Sequence, residues 1–479
     1  MFACRSVSRL RGTTDSGRQY PMSFQLDDLI AQRGNEKASL FGRYLNEQLV
    51  RVLRTIGFDV DYVRAEGPYL FDRDGQRYLD LLSGFGVFAL GRNHPSVIRA
   101  LEQVLHGQLP GLVQLDVSLL AGLLAERLVA RMPWLDKVYF GNSGAEAVEA
   151  AIKLSRGATG RSRIVYCAHS YHGLTYGALS LTADDFYRER FEPLLGACAA
   201  VPFDDLAALE RALARRDVAA FIVEPIQGKG VFMPSDGYLA GAARLCQDFG
   251  TLFVADEIQT GLGRTGRFLA CEHWAVEPDI VLVGKALSGG FVPVSAVVCR
   301  GWIIDRVFDR MDRAVVHGST FSKNDMAMAA GLATLAVLEE ERLIEQAADR
   351  GERLIAGLRR RLESCELVKE VRGKGMMMAL EFGAPRSLRL RAGYALLEQA
   401  SKGLVCQLAL IPLFKRHRIL AQVSGHKLPI IKFLPPFVLS EDDIAWIETA
   451  LEQVMTESQS LGAFWDLGRT LAAQARRAG

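Results

Sequence analysis

Thr251-Leu-Phe-Val-Ala-Asp256-Glu-Ile-Gln259-Thr-Gly-Leu-Gly-Arg-Thr-Gly266 and, a short way on, Pro278-Asp-Ile-Val-Leu-Val-Gly-Lys285-Ala-Leu-Ser-Gly-Gly290 follow one plan. Each opens with a short apolar, partly β-branched run, reaches one ionisable residue and breaks into Gly-rich sequence, the pattern of a buried strand feeding a loop. Asp256 and Lys285 are therefore expected at strand C-termini. In open α/β sheets those ends face the ligand crevice, so a carboxylate and an amine could converge there on one ligand.

A lysine among Ala, Gly and apolar neighbours is partly desolvated, which lowers its pKa and makes its amine a better nucleophile for Schiff-base formation. A carboxylate near such a lysine suits pyridoxal phosphate (PLP), whose pyridine nitrogen must stay protonated if the ring is to act as an electron sink. Each residue also has a plainer reading, Asp256 as a turn cap and Lys285 as a solvated loop lysine, and the choice rests on the rest of the chain.

Around this pair, short apolar runs alternate with helical segments: 137–140, 163–166, 219–224, 252–255, 280–283 and 295–299. Strands alternating with helices imply an α/β domain with a mostly parallel, helix-covered sheet, expected over 80–335. Before it, residues 23–79 read as an N-terminal segment joining a small domain. This segment is helical to about Gly57, with Phe41, Tyr44, Leu45, Leu49 and Leu53 at three- and four-residue spacings, and then forms two short strands about Asp74-Gly75. After it, 336–479 forms a smaller α+β domain, with helices at 344–363, 392–403 and 440–457 and a strand, Gly turn and strand over 367–382. The tail from 460, with Arg476 and Arg477, is expected as a short helix.

The 479 residues suggest more than one core, and 57 Lys+Arg against 55 Asp+Glu give no dedicated nucleic-acid or membrane surface. No apolar run is long enough to span a bilayer. Eight scattered cysteines without a C-x-x-C pair fit reduced thiols and a cytoplasmic location. The first 22 residues are basic but lack amphipathic periodicity, so a disordered arm, or a start placed upstream of Met22, is expected. The eight histidines form no H-x-x-x-H or Cys/His cluster, which argues against a metal site.

Four more stretches carry chemistry. Phe140-Gly-Asn-Ser143-Gly144-Ala145-Glu146 lies where a strand gives way to a helix, so free backbone N–H groups and the Ser143 hydroxyl could hold a phosphate, or Ser143 could serve as an ordinary N-cap. Tyr171-His172-Gly173 offers an aromatic face beside a ring nitrogen, or a core tyrosine. Glu224 ends a strand as Asp256 does, and Gln259 could hydrogen-bond a phenolic oxygen; both could instead satisfy loop backbone. His317-Gly-Ser-Thr320-Phe321 suits a second phosphate contact or a structural turn.

Together, Asn142–Glu146, Tyr171–Gly173, Glu224-Pro-Ile-Gln-Gly228, Asp256–Gly266, Lys285 and His317–Phe321 resemble the class III (ornithine/acetylornithine/putrescine-type) PLP-dependent aminotransferases, from about residue 40 to 457. The resemblance implies PLP-dependent transferase fold type I, with a mostly parallel, seven-stranded-type sheet. It further implies a homodimer with shared active sites and small-molecule amine and keto substrates. Lys285 would form the Schiff base and shuttle the proton, Asp256 pair with the pyridine nitrogen, Tyr171 stack on the ring and Gln259 approach the phenolic oxygen. Ser143, Gly144 and Ala145 would hold the phosphate, Thr320 would come from the partner subunit, and His172 and Glu224 would lie close to the ring or substrate.

Three positions depart from the family pattern. Lys432 replaces the usual Arg before Pro435-Pro436, Ala145 the commoner Thr, and Ser322-Lys-Asn-Asp325 the usual Gly-Gly-Asn-Pro. Lysine cannot reproduce the bidentate fork arginine offers a carboxylate. The apolar loop holding Phe85 and Phe88 resembles that of putrescine aminotransferases, and 408–420 adds apolar and basic groups in a stretch that is short in relatives.

These features point to an ω-type transaminase acting on the terminal amine or aldehyde of an extended, partly apolar molecule, such as a hopanoid- or polyketide-like metabolite. Glutamate and 2-oxoglutarate are the default co-substrates by resemblance. Acetylornithine, ornithine or a diamine such as putrescine is the alternative substrate, and a PLP aminomutase or racemase or a decarboxylase the alternative chemistry.

Overall fold

The apolar runs around Asp256 and Lys285 form the middle of a seven-stranded sheet. The computed structural model describes residues 24–113, 116–460 and 462–469. The chain divides into two units, with the boundary at Asp59. In the first, helices Leu26–Arg33, Lys37–Phe41 and Glu47–Ile56 follow one another; Asn46 caps the last by accepting from Leu49 N at 3.1 Å, and Gly57, at φ 73°, ends it.

The second unit holds the sheets. Strands β1 (Tyr62–Glu66), β2 (Tyr69–Asp72) and β3 (Arg77–Asp80) form an antiparallel ribbon, with the Asp74-Gly75 turn between the last two. Next come β4 (Lys137–Gly141), β5 (Arg163–Cys167), β6 (Cys198–Val201), β7 (Val218–Val223), β8 (Leu252–Asp256), β9 (Ile280–Val283) and β10 (Ser295–Cys299). The C-terminal part adds β11 (Val368–Lys374), β12 (Met377–Phe382), β13 (Ile419–Leu420), β14 (Gln422–Val423) and β15 (Ile430–Phe433).

The central sheet has the order β4-β10-β9-β8-β7-β5-β6. Every pair is parallel except those of β10, which runs against both β4 and β9. Strands β7 to β10 are buried at every residue, as expected of strands covered on both faces. Each Val, Leu or Ile so buried contributes about 1.5–3 kcal/mol. Helix Gly144–Thr159 supplies much of one cover, placing Ala147, Ala150, Ala151, Leu154 and Ala158 against the sheet. Ser143 opens that helix and Gly160, at φ 69°, closes it.

The strands expected from the sequence at 137–140, 163–166, 219–224, 252–255, 280–283 and 295–299 are present within a residue or two of their ends. Strand β6 was not among them. Cys198-Ala-Ala-Val201 has little side-chain bulk, and its extended form comes from parallel pairing with β5.

A second sheet, β11-β12-β15-β14, is antiparallel throughout and belongs to the C-terminal part, while β13 joins β3 in parallel and so ties that part to the N-terminal ribbon. Helices Leu343–Leu362, Leu388–Ala400 and Glu441–Ser458 fall where the periodicity puts them. The stretch 408–420 is a correction: helix Gln407–His417 turns Leu408, Leu410, Ile411 and Phe414 into the core, so these side chains are structural. Arg416, at its basic end, pairs with Glu457 at 2.5 Å.

Residues 462–469 are helical. The arm or upstream start expected for 1–22, and Arg476 and Arg477, lie outside the described residues. Among the described residues no helix is long and apolar enough to cross a membrane. The seven described cysteines are free.

Candidate active site

Three adjacent parallel strands deliver three ionisable groups to one rim. Glu224 follows β7 directly, Asp256 ends β8, and Lys285 stands two residues past β9. A cavity of about 450 Å³ opens there, within the usual size of ligand pockets. Helix Gly144–Thr159 presents its first residues to it, the loop after β5 adds Tyr171 and His172, and β15 adds Lys432 from the second sheet.

Asp256 is 4% exposed, and its Oδ2 lies 2.6 Å from His172 Nδ1. Its Oδ1 accepts from Ile258 N at 3.2 Å. Burial opposes a charged imidazole, but the hydrogen bond and charge of Asp256, with help from Glu224, outweigh it and raise the His172 pKa above its ordinary value. The other ring nitrogen, Nε2, is buried without a protein partner among the described residues. Among the described residues the His172 side chain hydrogen-bonds Asp256 alone, an arrangement that orients the carboxylate.

Lys285 sits at φ 38°, a left-handed conformation that costs a non-glycine residue on the order of 1–3 kcal/mol and is found where function demands it. Burial lowers its pKa, while Asp256 and Glu224 pull the other way. Both Glu224 oxygens are engaged, Oε1 by Tyr171 N at 2.9 Å and Oε2 by Gly228 N at 2.7 Å, and burial raises its pKa. The loop after β5 lies close on the helix start: a Cβ at Gly173, whose φ is 128°, would meet Ala145 Cβ at 2.8 Å.

Of the residues singled out in the sequence, the cavity brings together Phe85, Gly144, Ala145, Tyr171, His172, Glu224, Asp256, Gln259, Lys285 and Lys432. Three lie elsewhere. The Ser143 hydroxyl accepts from Glu146 N at 3.2 Å, the N-cap arrangement. Phe88 lies under the Arg92 guanidinium, 3.9 Å from ring centre to Cζ, away from the cavity lining. Thr320 is exposed and outside that lining.

The Gln259 amide is occupied at both ends, donating to Phe85 O at 3.1 Å and accepting from Lys432 Nζ at 3.2 Å. Its amide nitrogen carries a second N–H beyond the one given to Phe85 O, and that N–H is the group that could meet a phenolic oxygen. Lys432 also donates to Gly228 O at 2.8 Å. Burial, together with the charges of Lys285 and Lys229 against that of Glu224, lowers its pKa to about 7.

Sequence reasoning did not pick out Lys229, Tyr187 and Ser424, which complete the wall. Lys229 directly follows the Glu224–Gly228 motif, and that adjacency was the available signal.

These residues fit PLP. The N-terminus of the helix at Gly144 suits a phosphate, Lys285 an aldehyde, and Asp256, oriented by His172, a pyridinium N–H.

The comparisons agree with that fit. The family model for aminotransferase class-III matches residues 54–455. The chain is 33% identical to aminotransferase PigE of a Serratia species over 90% of its own length, and it spans 55% of that longer relative. It is 35% identical to the putrescine aminotransferase of Pectobacterium atrosepticum, covering 89% of this chain and 90% of that protein. Among solved structures, the ornithine aminotransferase of Toxoplasma gondii superposes with a TM-score of 0.78 at 30% identity over 92% of this chain and 99% of that one. A PLP-bound amine transaminase from an uncultivated Pseudomonas species gives 0.72 at 28% identity, over 83% and 95%.

Proposed function

The chain belongs to the class-III aminotransferases and is a PLP-dependent enzyme of fold type I, and from that premise we propose how its own residues divide the work. Bound PLP supplies an aldehyde for an amine and a protonated ring that draws electrons from the carbon next to the substrate nitrogen. Lys285 is the amine that anchors PLP. Its Nζ would be the group placed to hold and move a proton at that carbon, helped by a pKa that burial has lowered.

Asp256 keeps the proton on the ring nitrogen, and His172 keeps Asp256 in position. The backbone N–H groups at Gly144 and Ala145 hold the phosphate, and Tyr171 covers the ring. Glu224, Gln259 and Lys432 line the cavity with Lys285 and would face the substrate. The observation that carries this reading is the delivery of Lys285 and Asp256 by neighbouring strands to one cavity beside a free helix start.

We further propose that the enzyme is a homodimer whose partner supplies Thr320 to the phosphate, supported by the exposure of Thr320, Val315 and Phe321 on the single chain. For the substrate we propose the terminal amine or aldehyde of an extended, partly apolar molecule. The support is an apolar cavity wall, Phe85, Leu174 and Ile258, and Lys432 at a position where the family resemblance implies an arginine.

The test is to record the visible absorbance of the purified protein, reduce it with borohydride and map the modified residue. Amines are then screened for loss of that absorbance, with an acceptor present and absent. Label on Lys285 and bleaching by ω-amines support the reading; protein without bound PLP, or label elsewhere, refutes it. Isomerisation without an acceptor would indicate an aminomutase or racemase, and release of carbon dioxide a decarboxylase.

A further inference from the structure

Two lysine side chains line the cavity besides Lys285. Lys229, on the loop after β7, places its Nζ 3.0 Å from Asp184 Oδ2, 4.0 Å from the centre of the Tyr187 ring and 5.2 Å from that of Tyr171. Lys432 comes from β15 and donates to two neutral acceptors, Gly228 O and Gln259 Oε1.

Neither lysine can easily swing out to water. Lys432 is 6% exposed and lies mid-sheet, opposite Ala379 on β12 and Gln422 on β14. The loop of Lys229 is tied down by Arg372, which donates to Gly230 O at 2.6 Å and Val231 O at 2.9 Å, and by the Ser424 hydroxyl, which accepts from Gly230 N at 2.8 Å. Arg372 is itself held by Glu381.

Negative charge on this wall is scarce. Asp256 is committed to His172, and Asp184 answers Lys229 from outside the cavity lining. Glu224 is the one lining carboxylate whose charge reaches both lysines, and each of its oxygens already accepts a backbone N–H.

We propose that the cavity selects substrates by charge: it accepts an amine or aldehyde whose far end is neutral or anionic, a long monoamine or an ω-amino acid, and rejects α,ω-diamines, with Lys229 and Lys432 as the specificity-determining residues. The inference rests on the aminotransfer reading above and deepens it. A diamine that presents one nitrogen for reaction carries its second ammonium toward two lysine side chains, Lys229, whose partner Asp184 lies outside the lining, and Lys432, which faces only neutral acceptors, with Glu224 as the one carboxylate between them. Like charges brought together out of bulk water repel strongly, whereas a carboxylate there gains two partners and an alkyl end meets Phe85, Leu174 and Ile258.

The test uses three amines of one chain length on the PLP-loaded enzyme: hexylamine, 6-aminohexanoate and 1,6-diaminohexane, each followed by single-turnover loss of the cofactor absorbance. The first two are expected to react at comparable apparent second-order rates and the diamine at least about tenfold more slowly. Lys229→Met should narrow the diamine gap and slow 6-aminohexanoate.

A second readout needs no turnover: by calorimetry, hexanoate should bind the same enzyme more tightly than hexyltrimethylammonium. Equal rates for diamine and monoamine, or tighter binding of the cation, overturn the charge selection and leave aminotransfer standing. Failure of every amine, alanine and glutamate included, to bleach the cofactor refutes the aminotransfer reading and the selection with it.

Discussion

Replacing His172 by Phe separates the positioning of Asp256 from its chemistry. The substitution keeps a ring of similar size, so little cavity opens, and it leaves no partner of Nε2 stranded, since that atom has none among the described residues. What is lost is the 2.6 Å bond to Asp256 between side chains that are 0% and 4% exposed. Asp256 then keeps one donor, Ile258 N at 3.2 Å.

Breaking a buried pair from one side costs about 3–5 kcal/mol, so a loss near ~3 kcal/mol in unfolding free energy is expected. If about 2 kcal/mol of the disorder reaches the transition state, the half-reaction slows about thirtyfold. The wild-type advantage should also depend on pH. The His172 pKa is raised in the fold, so the stability it adds is full below its ordinary value of 6.5 and is lost as pH rises through the raised value.

The assay is a double-mutant cycle of His172→Phe and Asp256→Asn, read by urea denaturation and by single-turnover bleaching. Because His172 acts through Asp256, the double variant should be no slower than the worse single variant by more than about threefold. Fully additive losses, or a His172→Phe protein within about 0.5 kcal/mol of wild type at pH 6, would refute the reasoning.

Three other outcomes are expected. Lys432→Met should be most stabilising relative to wild type near pH 7 and progressively less so toward pH 10; Lys432, facing Lys285, Lys229, Glu224, Gln259 and the Gly228 carbonyl, has a pKa lowered to about 7 from 10.5, so wild-type stability rises as the unfolded chain alone keeps that proton. A curve flat in pH for the difference would contradict this. Gly351→Ala would place a Cβ 2.1 Å from the Gly375 carbonyl oxygen, backbone against backbone, and should cost about 3 kcal/mol by thermal denaturation. Arg372→Met strands Glu381 with only Lys369, at 2.5 Å, and frees the Gly230 and Val231 carbonyls; a loss of about 3 kcal/mol and a raised KM for the amine should follow, with kcat changed less.

Lys285 and Asp256 were legible because a strand buried on both faces needs an unbroken apolar run, and the first charge after it marks the rim. The same logic placed Glu224. The helix start was legible from Gly144 onward, yet whether the Ser143 hydroxyl faces a ligand or caps its own helix depends on a rotamer that the sequence does not encode. Phe85 and Phe88 read alike as aromatics in a Gly-rich loop; one lines the cavity and the other lies against Arg92, because Gly84 and Phe85 adopt left-handed backbone that turns the chain between them. Lys229, Asp184, Tyr187 and Ser424 come from three separate stretches and meet only in the folded chain. Helix Gln407–His417 read only as added apolar and basic groups, because the length of a stretch carries no information on its burial.

The left-handed backbone at Lys285 sets two demands on one position against each other. Glycine there would relieve the strain, and any drift of the sequence toward a more stable fold favours it. Glycine would also delete the amine. Position 285 is therefore a site where selection for thermostability and selection for turnover pull in opposite directions. A library sorted for stability alone would be expected to lose the reactive residue before it lost the fold around it.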